Sequence, residues 1–268
     1  MRRPIGQLVG EFLGDFLAFD ARIWRTLVPL VAKPGELTRE YFAGRRARYV
    51  PPFRLYVFGG FLYFTVMALT GGGPFAPVIT SQDGVTAVSL RGIRLQSGIV
   101  TEDASGDGRP ATREEASEET IFRRFDDQAV AATRDQRAFA RSLIGSLSYA
   151  HFLLMPIFAM LLKAFHRKRY VAEHLIFSLH YHAFVLLPGA MVVGVSTLLG
   201  ADAVGRGGRA VSSAWLLALA AYLFVAMRRV YGESRRRTAL KLLGLGFAYS
   251  AVAAVVIILV AIGTIWFY

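Results

Sequence analysis

The sequence predicts an all-α, polytopic membrane helix bundle. It has five transmembrane helices, an N-terminal amphipathic interfacial helix and a partly structured outer segment. Three observations predict it. Apolar runs occur at 53–70, 143–162, 172–199, 211–227 and 242–268. Each is near or above the ~17–20 residues that a helix needs to cross ~30 Å of hydrocarbon. No Asp, Glu, Lys or Arg lies deep in any run, and Lys and Arg fall very unevenly between them.

That unevenness orients the chain. Residues 1–54 hold ten Lys or Arg, 163–173 four and 228–241 six, against nine in the long segment 71–141 and two in 200–209. Short loops and span flanks decide orientation, and they are basic on the side of the N-terminus. The N-terminus is therefore expected in the cytoplasm and the C-terminus outside. The expected division is 1–52 for the cytoplasmic amphipathic helix and basic motif, 53–70 for the first span, 71–141 for the extracytoplasmic segment and 142–268 for spans two to five. The cytoplasmic parts sum to +13 and the outer parts to −1, within an overall charge of +12. In a soluble chain such charge would point to nucleic acid. Here it lies on one membrane face, where anionic headgroups attract it, and no basic domain stands apart. The expected partners are membrane lipids, anionic ones above all, and not nucleic acid. A membrane-protein partner or a second copy is compatible with the pattern. With no cysteine in the sequence, disulfides, thiol catalysis and Cys-ligated zinc or iron–sulfur sites are excluded.

The first thirty residues read as an amphipathic helix. Ile5, Leu8, Val9, Phe12, Leu13, Phe16, Leu17, Ile23, Trp24, Leu27, Val28 and Val31 form a wide apolar stripe at helical spacing. Gln7, Glu11, Asp15, Arg22 and Arg25 take the other side. Such a helix lies at the headgroup boundary or packs on the spans, and both can hold at once. Acidic residues and the lack of a small-residue cleavage site argue against a signal peptide.

Lys33-Pro34-Gly35 stops that helix, and a second is expected from Glu36 to Ala43, capped by Gly44. The basic stretch Arg45-Arg46-Ala47-Arg48-Tyr49-Val50-Pro51-Pro52-Phe53-Arg54 leads into the first span. Arg45, Arg46, Arg48 and Arg54 read either as a topology anchor or as a site for anionic lipid, since guanidinium pairs bidentately with phosphate.

These residues carry a resemblance. Pro34-Gly35-Glu36-Leu37-Thr38-Arg39-Glu40-Tyr41 and Gly44-Arg45-Arg46-Ala47-Arg48-Tyr49-Val50-Pro51-Pro52 resemble the hallmark of the bacterial membrane family called domain of unknown function 3667. Arg169-Tyr170-Val171-Ala172-Glu173-His174-Leu175, with His180-Tyr181-His182-Ala183-Phe184, agrees with it. The resemblance implies a polytopic protein of the bacterial inner membrane and brings no established activity. Many such proteins carry a four-cysteine zinc ribbon before the membrane part, and this sequence lacks it. Any function that depends on the ribbon is not expected here.

The outer segment begins at Gly71-Gly72-Gly73-Pro74. Residues 85–94 have weak strand character, and 101–110 are acidic and Gly-rich. Thr112-Arg113-Glu114-Glu115 reads as a capping box opening an amphipathic helix through Ile121, Phe122, Phe125, Val130 and Phe139 that runs into the second span.

Within the spans the ionisable groups are histidines: His151 in the second, and His180 and His182 in the third, with Glu173 and His174 at its cytoplasmic end. Intramembrane ionisable groups default to a functional-site hypothesis. Counted from the cytoplasmic ends of two antiparallel helices, His151 and His182 come within about one turn in height. His180 and His182 stand ~200° apart and cannot share a neighbour. The candidate ligand or proton site is His151, His180, His182, His174, Glu173 and Tyr181. Packing, proton relay and metal binding all remain open readings. No cofactor is expected, while haem or metal ligation through these histidines stays open. Pro156 and Pro188 are expected to kink the two helices that hold the histidines. Gly244 with Ala248, and Gly246 with Ser250, look like close-packing pairs, and Trp266-Phe267-Tyr268 like an aromatic belt.

The leading expectation is non-enzymatic: binding or moving a small molecule or lipid within the bundle. The alternative is a membrane scaffold or sensor using the basic cytoplasmic face and outer segment. A second alternative is a metal- or haem-dependent membrane enzyme using His151, His180 and His182.

Overall fold

A computed structural model describes residues 21–70, 78–82, 85–90, 93–98, 136–200 and 206–266 of the chain. Two short helices open it, α1 (Ala21–Ala32) and α2 (Glu36–Phe42), followed by a 3₁₀ turn (Arg46–Arg48) and α3 (Pro52–Thr70). Three strands follow: β1 (Val78–Gln82), β2 (Val85–Leu90) and β3 (Ile93–Gly98). Four long helices complete the described chain: α4 (Gln136–Phe165), α5 (Val171–Leu198), α6 (Arg206–Tyr231) and α7 (Arg235–Trp266).

The five long helices occupy the five apolar runs. Four helical stretches, Arg46–Thr70, Val171–Leu198, Arg206–Tyr231 and Arg235–Thr264, are long and apolar enough to cross a membrane. The apolar part of α4, Tyr149–Phe165, is shorter. Helix α5 is the centre: it is enclosed over most of its span, whereas α7 turns most of its residues outward. A helix apolar all round must be buried, and α5 is. It packs most extensively on α3. There Gly59 lets the backbones approach, since a Cβ at that position would meet Leu187 at 3.1 Å. Helix α4 bridges α5 and α7, and α6 closes the other side. Leu217, Leu243, Phe247 and Leu259 stand exposed on α6 and α7, as side chains facing lipid do.

The two short helices form a hairpin against α5 and α6. Helix α1 ends before Lys33-Pro34-Gly35, as its sequence demands. Gly35 has φ +77° and Gly44 φ +79°. Gly44 N–H donates to the Tyr41 carbonyl at 3.1 Å and Arg45 N–H to the Glu40 carbonyl at 3.0 Å, the paired bonds of a Schellman ending. Residues 1–20, the larger part of the expected amphipathic helix, lie outside the described residues.

The strands form an antiparallel sheet in the order β1-β2-β3, with Val78 opposite Ser89 and Leu90 opposite Ile93. The strand character at 85–94 is thus present, and β1 adds a strand that the sequence reading passed over. Its signal was Asp83-Gly84 between two β-branched runs. The expected capping box at 112–115 and its helix over 121–130 lie outside the described residues, but α4 does run through Arg141. One packing expectation is corrected. A Cβ at Gly244 would meet the Phe165 ring at 3.0 Å, so Gly244 is a close-packing position. Gly246 has nothing within 4 Å of its Cβ position, and it and Ser250 face outward.

Candidate functional site

Helix α5 starts with Glu173 as its own cap. Its carboxylate accepts the Tyr170 backbone N–H at 3.1 Å and pairs with Arg169 at 3.1 Å. The local geometry therefore accounts for Glu173 by helix capping and charge pairing. The next residue, His174, is fully buried, with Nδ1 2.8 Å from the Tyr231 hydroxyl at the end of α6.

His180 and His182 diverge, as their helical angle requires. His180 turns toward the hairpin, where its Nδ1 lies 3.0 Å from the Thr38 hydroxyl of α2. Both residues are buried, and the Tyr41 ring meets His180 edge-on. A hydrogen bond of this kind, away from water, ties the short helix to the central span.

His182 turns toward α4 and α7. Its Nδ1 donates to the Ser178 carbonyl at 2.9 Å, which fixes the tautomer. Its Nε2 therefore accepts, and the Tyr249 hydroxyl donates to it at 3.2 Å. The Ser178 hydroxyl donates in turn to the Met155 carbonyl on α4 at 2.7 Å. His151 and His182 do meet, with ring centroids 5.4 Å apart. Tyr56 of α3 stacks on His151 at 5.6 Å and donates its hydroxyl to the His151 carbonyl at 3.2 Å. Phe158 packs against His182 on one side and stacks with Tyr181 on the other. Rings thus fill the space between four helices. Within that packing His151 Nε2 is buried with no hydrogen-bond partner among the described residues. Among the described residues, no three His, Asp or Glu side chains gather closely enough to hold a metal ion.

Sequence reasoning missed a second histidine cluster. His166, in the α4–α5 turn, stacks on Tyr231 at 3.9 Å and lies 6.1 Å from the His174 ring. Its Nδ1 donates to the Leu162 carbonyl at 3.1 Å, leaving Nε2 as an acceptor 3.7 Å from Glu233. Glu233 is also ion-paired with Lys241. Burial, and then the Lys241 ammonium, hold His166 below its usual pKa. The signal available in the sequence was a histidine beside the basic run Arg167-Lys168-Arg169, with Glu233 inside the other basic loop.

The basic stretch is divided by the structure. Arg45 makes a two-pronged pair with Glu40, its Nε donating at 2.8 Å. That pair holds the Glu40 carboxyl below its ordinary range and raises the Arg45 guanidinium. Arg46 and Arg48 stand exposed on the 3₁₀ turn, and Arg54 is exposed on the first turn of α3. Beside them, α1 has two faces. Thr26 and Leu30 are buried, while Trp24, Val28 and Val31 are 60%, 59% and 50% exposed. The buried face is fastened inward. The Tyr222 hydroxyl of α6 donates to the Leu30 carbonyl at 2.7 Å, and Arg229 donates to the Pro34 carbonyl at 2.8 Å. The Thr26 hydroxyl accepts the Val50 N–H at 2.9 Å.

Residues 20–64 match the model of the family described as Protein of unknown function (DUF3667), which supports membership of that family. The matched stretch covers α1, α2, the 3₁₀ turn and most of α3. Neither the curated proteins nor the solved structures contain a match to the chain.

Proposed function

We propose that this chain, similar over residues 20–64 to a family of unknown function, binds anionic lipid at the cytoplasmic leaflet of the bacterial inner membrane. In this reading five spans anchor it, with the N-terminus in the cytoplasm and the C-terminus outside. One observation carries the reading. The hairpin is bonded to α5 and α6 through its buried face, yet presents Trp24, Val28 and Val31 outward beside exposed Arg25, Arg46 and Arg48. These three apolar residues fall within one narrow stripe at helical spacing. Trp suits the headgroup boundary, and Arg pairs with phosphate. Each basic side chain near an anionic surface contributes about 1 kcal/mol, so Arg46 and Arg48 together change lipid retention by roughly thirtyfold. The part of the chain that matches the family is the part that builds this surface.

The test is the phosphatidylglycerol that stays with the purified protein through washes of rising salt. Arg46→Gln with Arg48→Gln should lower it, and salt should lower it in the wild type. Arg45→Gln should matter less, because Glu40 already pairs with Arg45. Unchanged retention in the double variant would reduce these arginines to a topology anchor.

A second reading keeps the ligand inside the bundle, as first expected. Its support is His151 Nε2, buried and without a partner among the described residues. Native mass spectrometry of the wild type against His151→Phe tests it. A small molecule carried by the first and absent from the second is the expected result, and no such molecule in either would remove the reading.

A further inference from the structure

The α4–α5 turn and the α6–α7 turn flank an open cavity of about 560 Å³. That lies within the ~300–1,000 Å³ range of small-molecule sites. Arg167, Lys168, Arg169, Arg237 and Lys241 line it, with Glu233 as the carboxylate among the lining residues. Glu233 is already engaged by Lys241, and Arg169 by Glu173. Among the described residues no carboxylate pairs with Arg167, Lys168 or Arg237, and all three are exposed. The turn is held in shape by Lys163, which donates to the Arg167 carbonyl at 2.7 Å and the Arg169 carbonyl at 2.6 Å. Cations gathered around a partly enclosed space raise its potential and lack a counter-charge. Guanidinium forks match the oxygens of a phosphate, and an ammonium adds a point charge.

We propose that this cavity is a phosphate-binding site, taking a phosphate monoester or diphosphate group with Arg167, Lys168 and Arg237 as its principal ligands. Lys241 and Glu233 form the wall behind the group. His166 stacks on Tyr231 at the inner end and shapes the cavity floor. The charge excess suits a dianion better than a single carboxylate. The phosphate belongs either to a soluble ester or to a lipid headgroup, and the two are separable by experiment.

The experiment uses the full chain in neutral detergent, with thermal unfolding and calorimetry as readouts. One probe is sodium pyrophosphate, the other dioctanoyl phosphatidic acid, and sodium chloride at matched ionic strength is the control. A saturable rise in melting temperature beyond the chloride control is expected with at least one probe. A response to pyrophosphate assigns a soluble ligand, and a response to phosphatidic acid alone assigns a headgroup. Combined Arg167→Gln, Lys168→Gln and Arg237→Gln should weaken binding at least tenfold. Arg237→Gln alone, on an exposed side chain, should weaken it several-fold, and Arg237→Lys should restore most of the loss. Arg46→Gln with Arg48→Gln should bind pyrophosphate as the wild type does, and in that background the Arg167, Lys168 and Arg237 changes should still weaken phosphatidic acid binding, so failure of the lipid-surface reading leaves this site standing. No response to either probe, or wild-type affinity in the Gln variants, overturns the proposal.

Discussion

At the scale of single residues, Gly35 shows how close the hairpin sits to the bundle. A Cβ there would lie 2.9 Å from the Ala226 carbonyl oxygen, and φ is +77°. Gly35→Ala is therefore expected to destabilise by roughly 1–3 kcal/mol, through strain and displacement of α6 together. Thermal unfolding in detergent checks this, and a melting temperature equal to the wild type contradicts the packing. The histidine pair gives a second test. Contacting residues couple by ~0.5–3 kcal/mol, whereas distant ones add within a few tenths. His151→Phe and His182→Phe should each destabilise, and the double variant should fall short of their sum. Strict additivity would mean that the rings do not act together. His166 supplies a pH dependence, facing Glu233 and Lys241 from the α6–α7 turn and α7, Tyr231 from α6, His174 from α5 and the Leu162 carbonyl from α4. Its folded pKa lies below that of the unfolded chain, ~6.5. The unfolded chain therefore takes the proton first. The stabilisation is complete above ~6.5 and is lost as the pH falls from there through the folded value. Melting temperature should drop between pH 7.5 and 5, and His166→Gln should make the slope shallower. An identical slope in the variant assigns the effect elsewhere. The meeting of His151 and His182 was legible from the sequence because both sit at a countable depth in apolar runs. The bond between His180 and Thr38 was not, because it joins residues 142 positions apart.

At the scale of elements, the apolar runs located the five long helices because hydrocarbon tolerates only internally bonded backbone of a set length. The hairpin was half legible. Its breakpoints at Lys33-Pro34-Gly35 and Gly44 follow from local chemistry, but nothing in periodicity says which face α1 buries. The structure splits the apolar stripe between the bundle, through Leu30, and the exterior, through Trp24, Val28 and Val31. Tyr222 is the test of that docking. Its hydroxyl donates to the buried Leu30 carbonyl while its ring stacks on Phe184 at 3.5 Å. Tyr222→Phe keeps the stack and strands the carbonyl, at an expected ~1–3 kcal/mol. Hydrogen exchange should quicken in α1 and α2 while α3 and α5 stay protected. Uniform quickening throughout the bundle would mean that the hairpin does not open separately.

At the scale of the whole molecule, the basic end gathers the hairpin, the α4–α5 turn and the α6–α7 turn, and its charge sets the proposed orientation. A reporter active only in the cytoplasm should be silent when fused after Tyr268 and active when inserted at 235–237. The reverse pattern would overturn the five-span topology. The fastening of the hairpin also bears on how the protein is made. Leu30 and Pro34 are held by Tyr222 and Arg229, which lie 192 and 195 residues later in the chain. At synthesis rates of about 5–20 residues per second, the first helices wait roughly ten to forty seconds for the partners that bury them. For most of that interval Leu30, Leu37 and Thr38 have neither α5 nor α6 to cover them, and α6 is the last to arrive. The membrane surface is the one apolar phase then within reach. If α1 lies at the headgroups as proposed, its amphipathic character would serve the nascent chain before the finished one, holding the segment there until α6 is made. Ribosome-bound chains halted before residue 206 should leave the hairpin open to protease, and chains halted well after 231 should protect it.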